Sequence, residues 1–156
     1  MPNKREMLAP REVAAWQGLL RVSGKVLRAL DAALEEHHRL SVAGFDVLIT
    51  LFNARDGRLH MTELAREVVV SPSGLTHLVD RLERRELLRR EQDPDDRRGS
   101  LAVLTQTGLE LLDSARQTHN EVVREKFLRH LDRAEVDALS QIWTNVLIDP
   151  YGRVEP

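Results

Sequence analysis

The 156-residue sequence predicts a mainly α-helical α+β protein, with helical segments at both ends and a helix-turn-helix followed by a hairpin between them. Three observations carry that expectation. Apolar residues recur at spacings of three, four and seven through both terminal regions, the signature of amphipathic helices. Only six residues are aromatic, so the core must be built from Leu, Val and Ala, which suits helices better than a β-sandwich. The middle carries strong breaks at Asp56-Gly57, at Ser71-Pro72 and along Gln92–Gly99. With 42% hydrophobic and 31% charged residues the chain can bury a core, and its length fits one domain or two intimate lobes.

From Pro10, the residues Val13, Trp16, Leu20, Leu27, Leu30 and Leu34 mark one face of a long helix ending within Glu35–Arg39. Ser41 is an N-cap for a second helix carrying Phe45, Leu48, Leu51 and Phe52, which Asp56-Gly57 breaks. An extended piece, Arg58–Met61, leads to Thr62, the expected N-cap of a two-turn helix with Leu64, Ala65 and Val68 inward. Val69-Val70 make the turn. Ser71-Pro72 then restarts a helix with a capping side chain and proline at its first position. That helix runs to about Glu86, burying Leu75, Leu78, Val79 and Leu82. Leu87–Glu91 and Ser100–Leu104 read as strands of a hairpin around a polar, turn-forming loop. Helical pattern returns from Thr105 to about Leu131. Asp132 and Glu135 form a capping box for a last helix carrying Val136, Leu139, Ile142, Trp143 and Val146, stopped by Pro150. In this order the elements make a winged helix-turn-helix lobe over residues 41–105, between helical segments 10–40 and 106–148.

The composition excludes several function classes. With no cysteine there is no disulfide framework, thiolate zinc site or thiol redox switch. No apolar run has the 18 or so residues a membrane span needs, and no signal-peptide segment stands at the start, so the expected location is the cytoplasm, away from membranes. A formal net charge of −2 excludes a uniformly basic nucleic-acid coat, so DNA contact must come from a local cluster. The histidines have no HExxH or other metal-ligand spacing. An EF-hand loop begun at Asp93 would need glycine and glutamate where Arg98 and Leu104 stand. No P-loop, dinucleotide glycine pattern or nucleophile elbow is present. No cofactor and no metal are expected.

A helix-turn-helix exposes the polar face of its second helix, which fits the DNA major groove. Here that face offers Ser73, Thr76 and His77 near its start and Arg81 and Arg84 further on, while the amides from Ser71 to Gly74 can face a phosphate. By itself this is equally a capped surface helix. Residues 81–98 add seven arginines against six acids. Arg84, Arg85, Arg89 and Arg90 also fit a solvated face. Arg97 and Arg98 stand at a hairpin tip beside Gly99, where a guanidinium can enter the minor groove, with Asp96 to brace it.

The stretch SPSGLTHLVDRLERRELLRREQDPDDRRGSLAVLT, Ser71 to Thr105, resembles the recognition helix and wing of MarR-type transcriptional regulators. LVDRLE (Leu78–Glu83) and DPDDRRGSL (Asp93–Leu101) carry it most specifically, and the element order matches along nearly the whole chain. The resemblance implies a homodimer whose first, fifth and sixth helices form the interface, gripping a palindromic double-stranded operator. It implies that Asp96 braces the wing, that Arg98 enters the minor groove, and that Ser73, Thr76, His77 and Arg81 meet bases or backbone. Repression is the commoner mode in such proteins, relieved by small phenolic or aromatic anions. Glu86 departs from the family, which places glycine there. Trp16, Phe45 and Asp46 match the signature of a urate-responsive subset, but two arginines of that signature are replaced by Asn53 and Leu78, and Trp16 and Phe45 fit core or interface roles equally. Two other classes stay open: a helical protein-interaction module without DNA binding, and an enzyme whose site leaves no local signature.

Overall fold

The computed structural model describes residues 7–68, 72–94 and 99–147, with Pro72 described by its backbone. The expected Val69-Val70 turn, the Ser71 cap, the tip residues Asp96, Arg97 and Arg98, and the Pro150 stop lie outside the described residues.

Helix α1, Pro10–His38, takes proline at its start and ends where Arg39 adopts a left-handed backbone of φ 51°, ψ 41°. Helix α2, Val42–Asn53, is capped by Ser41, whose Oγ accepts from the Gly44 N–H at 3.1 Å. The Val42 N–H at its start donates to Asp31 Oδ1 of α1 at 2.9 Å, so the corner between the two helices is held from both sides. A 3-10 turn, Arg55–Gly57, includes Asp56 and Gly57 at positive φ and leads to strand β1, Arg58–His60. Helix α3, Met61–Glu67, is capped at His60, two residues before the expected Thr62, because the Glu63 carboxylate turns back to accept the His60 N–H at 3.2 Å. Helix α4, Pro72–Arg84, follows, then strands β2, Leu88–Gln92, and β3, Ser100–Leu104.

The expected hairpin is one part of a three-stranded antiparallel sheet of order β1-β3-β2, with β1 pairing Arg58 to Val103 and β2 pairing Gln92 to Ser100. At the base of the hairpin tip the Asp93 N–H donates to the Gly99 carbonyl at 3.1 Å. The Asp93 carboxylate is buried and lies 3.4 Å from His60 Nε2, joining the wing to the start of α3.

Helix α5, Gln106–Lys126, starts at Thr105, whose Oγ1 accepts from the Gly108 N–H and donates to the Glu86 carbonyl at 2.6 Å. A Cβ on Gly108 would sit 1.9 Å from the Leu87 carbonyl oxygen, so this close approach of helix to turn requires glycine. The helix does not reach Leu131 as expected. It stops at Lys126, and a 3-10 turn, Leu128–His130, tightens the chain before helix α6, Arg133–Leu147. The Asp132–Glu135 capping box forms in full: the Asp132 N–H donates to Glu135 Oε2 and the Glu135 N–H donates to Asp132 Oδ1, both at 2.8 Å.

One core fills the space between α2, α3, α4, the sheet and the adjoining parts of α1 and α5, with Leu34, Leu48, Leu51, Leu64, Val79, Leu82 and Leu112 at its centre. Of the expected inward residues, Leu64, Val68, Leu75, Leu78, Val79 and Leu82 are buried, and Ala65 is partly buried against the core. The terminal helices behave differently. On α1 only Leu30 and Leu34 are buried, while Trp16, Leu19, Leu20, Val22 and Leu27 stay exposed. On α6 no residue is buried, and Val136, Ile142, Trp143, Val146 and Leu147 are open to solvent. Among the described residues, no helix is long and apolar enough to cross a membrane.

Candidate nucleic-acid interface

Helix α4 separates into two faces at the 3.6-residue period. Leu75, Leu78, Val79 and Leu82 anchor it in the core, and Ser73, Gly74, Thr76, His77, Arg81 and Arg84 are exposed. The structure thus brings all the described recognition-helix residues expected from the sequence onto one outer surface. Arg81 and Arg84 are tied by their side chains to the rest of the chain. Arg81 Nη2 donates to Ser41 Oγ at 3.3 Å, and Arg84 Nε donates to the Asp80 carbonyl at 3.3 Å, one helical turn back.

Two acids, Asp80 and Glu83, accompany these arginines on α4 and would oppose an approaching phosphate. Arg90 of β2 offsets both. Its guanidinium lies 2.6 Å from Asp80 Oδ1 and 2.6 Å from Glu83 Oε2, and its backbone N–H donates to Glu83 Oε1 at 2.8 Å. A planar fork suits two carboxylates at once, which ties the helix to the sheet as well as balancing its charge. Composition gave no sign of this role. The pairing joins positions seven and ten apart across a turn, and in the sequence Arg90 looks like one more member of a mixed charge run.

The end of α4 explains the departure at Glu86. The Leu87 N–H reaches the Leu82 carbonyl at 3.1 Å and the Glu86 N–H reaches the Glu83 carbonyl at 2.8 Å, the two bonds of a Schellman motif. Glu86 takes the left-handed position at φ 58°, the conformation that favours glycine. The helix therefore closes as a glycine-terminated one would, with a non-glycine residue under strain.

The candidate ligand residues Trp16, Phe45 and Asp46 are not gathered within one chain. Phe45 is buried and stacks on His119 of α5, ring centroids 4.7 Å apart at 8°. The next-door Thr118 hydroxyl lies 2.8 Å from His38 Nε2, which puts Phe45 level with the C-terminal end of α1. Trp16 lies 22 residues earlier on that helix, about 33 Å away at roughly 1.5 Å per residue, and is 54% exposed. Asp46 is half-buried on α2. No group of three or more potential metal-ligating side chains occurs among the described residues.

A core-anchored helix with a polar outer face, set beside an antiparallel hairpin and reached through a short preceding helix, defines a winged helix-turn-helix protein. The profile of the MarR family matches residues 40–100, from the start of α2 to the first residue of β3. The chain is 34% identical over 126 residues to the HTH-type transcriptional regulator PecS of Dickeya dadantii, covering 79% of this chain and 74% of PecS. Its fold superposes on AbsC, a MarR family transcriptional regulator from Streptomyces coelicolor, with a TM-score of 0.83 at 30% identity, covering 90% and 95% of the two chains. Sco3205, a MarR family regulator from the same organism whose structure was determined in complex with DNA, gives a TM-score of 0.86 at 28% identity, covering 96% of each chain. This chain belongs to the MarR family.

Proposed function

We propose that this protein is a sequence-specific DNA-binding transcriptional regulator of the cytoplasm, acting as a homodimer on a palindromic operator. The observation that carries the proposal is the outer face of α4. It keeps Ser73, Thr76, His77, Arg81 and Arg84 exposed on a helix locked to core and sheet, with its acids offset by Arg90. The DNA complex of the related Sco3205 supports carrying this face into the major groove. In this account Ser71 and Gly74 meet phosphate through the amides that open the helix. Arg97 and Arg98 extend the wing to the minor groove, and Asp96 braces them. Residues 41–105 form the reading lobe, and segments 10–40 and 106–148 form the dimer stem, whose exposed apolar faces on α1 and α6 give a second copy a surface to cover.

Repression relieved by a small aromatic anion completes the proposal. A pocket containing Trp16, Phe45 and Asp46 would have to be completed by the second copy, since one chain holds Trp16 and Phe45 far apart. Phenolate binding left unchanged by both Trp16→Phe and Asp46→Asn would remove these residues from it.

Arg98→Ala tests the DNA-reading role. Its removal should weaken binding to a duplex operator and lower the slope of log affinity against log salt by about 0.9 if a phosphate contact is lost with it. Unchanged duplex affinity would contradict the wing assignment and favour a helical interaction module.

A further inference from the structure

We propose that Arg85 is a positioning residue that fixes the recognition helix to the dimer stem and so sets the spacing at which two helices read two half-sites. The proposal rests on the operator-binding reading above and assigns a role to a residue that the sequence leaves among solvated charges.

Arg85 follows α4 directly and points away from its DNA-facing side. Its Nη1 donates to the Arg39 carbonyl and its Nη2 donates to the His38 carbonyl at 3.1 Å. Both acceptors stand at the C-terminal end of α1, where carbonyls have no partner within the helix and carry the negative end of the helix dipole. A guanidinium is suited to this place, since one rigid fork satisfies two neighbouring acceptors. The left-handed Arg39 turns the chain here, so the fork grips a corner rather than a fraying end.

The corner is itself anchored. The imidazole of His38 hydrogen-bonds with Thr118 Oγ1 at 2.8 Å and with Ser114 Oγ at 3.3 Å, both on α5. One residue thus joins the two long helices through its side chain and holds the reading head through its backbone carbonyl. Arg81, one turn before Arg85, reaches the same corner through Ser41 Oγ. A rotation of α4 relative to α1 and α5 must break or lengthen these bonds. An aliphatic contact would tolerate that motion, whereas a charge-assisted hydrogen bond is directional.

The test compares the wild type with Arg85→Met and Arg85→Lys on duplexes carrying a palindrome that the wild type selects from genomic DNA, with half-sites at the native separation and moved by one or two base pairs either way, and on a random duplex. The wild type is expected to show one sharp spacing optimum. Arg85→Met should lose about tenfold at that optimum, the order expected for removing a charge-assisted hydrogen-bonded pair, with a flattened spacing profile and an unchanged salt slope. Arg85→Lys keeps the charge without the fork and should also flatten the profile. A contact of Arg85 with phosphate predicts otherwise: Met would weaken all duplexes alike and lower the salt slope, and Lys would restore both, which overturns the proposal. A sharp optimum retained in both variants also overturns it. His38→Gln, which disturbs the same corner from the α5 side, should flatten the profile as well, so the proposal stays testable if an Arg85 variant folds poorly. Absence of palindrome binding by the wild type would defeat the operator-binding reading and this one together. Wild-type binding with unaltered variant profiles would defeat this one alone.

Discussion

Glu86 and His38 carry strain and charge that single substitutions can expose. Glu86 sits at φ 58° with its side chain exposed, so the left-handed cost is offset by its backbone hydrogen bonds and not by packing of the side chain. Glu86→Gly should stabilise the protein by about 1 kcal/mol, part of the relief being offset by the freer unfolded chain, read as a higher urea midpoint at unchanged slope. A midpoint that falls would mean that the Glu86 side chain contributes more than its backbone costs. His38 has its pKa held below the ordinary imidazole value, first by desolvation and then by the neighbouring His37. The unfolded chain therefore takes up a proton more readily than the folded one. Stability from this group is full above the ordinary value of about 6.5 and declines as pH falls through it toward the lowered folded value. The melting temperature should drop on acidification across that window, and His38→Gln should flatten the drop. An equal drop in the variant would assign the dependence to other groups.

At the level of elements, α4 suits the proposed reading role because its neighbours hold it on three sides: core leucines beneath, Arg90 from β2, and the α1–α2 corner gripped by Arg81 and Arg85. Arg90→Ala should release the helix from the sheet and leave Asp80 and Glu83 facing phosphate. Weaker binding to operator and random duplex alike is expected, together with a lower melting temperature. Operator affinity unchanged in a folded Arg90→Ala protein would show that the acids do not face the DNA. Much of this architecture was legible in the sequence. Helical periodicity, the Ser41 cap and the Asp132–Glu135 box are local signals, and each produced the expected element. The pairing of β1 with β3 was not legible, because the three strand residues Arg58–His60 acquire their partners from the distant segment that includes Leu101 and Val103. The early end of α5 was missed because apolar positions continue at helical spacing through Phe127 and Leu131. Arg85, Arg90 and Gly108 were hidden for a related reason: their roles depend on where distant backbone or carboxylates arrive.

The whole molecule combines a well-packed lobe with terminal helices whose apolar faces find little cover in one chain. Hydrophobic burial drives association of such faces, and α1 exposes Trp16, Leu19 and Leu20 while α6 exposes Ile142, Trp143 and Val146. Trp143→Glu, placing a charge on the apolar face of α6, should shift the proposed dimer to monomer by sedimentation. It should also reduce operator affinity far more than affinity for a single half-site. A dimer that persists unchanged would exclude this face from the interface. The proposed chain of cause then runs from stem to corner to reading helix: two copies set the separation, and the Arg85 fork passes it to α4.

The most direct measurement is selection of bound fragments from genomic DNA by the full-length protein, repeated at two salt concentrations. Recovery of a palindrome with half-sites about one helical turn apart is expected, retained far less well at the higher salt because arginine–phosphate contacts release counterions. Failure of a folded dimer to retain any duplex at the lower salt would contradict the proposed function, leaving the hairpin a surface feature and the apolar helices the working surface of a protein-interaction module.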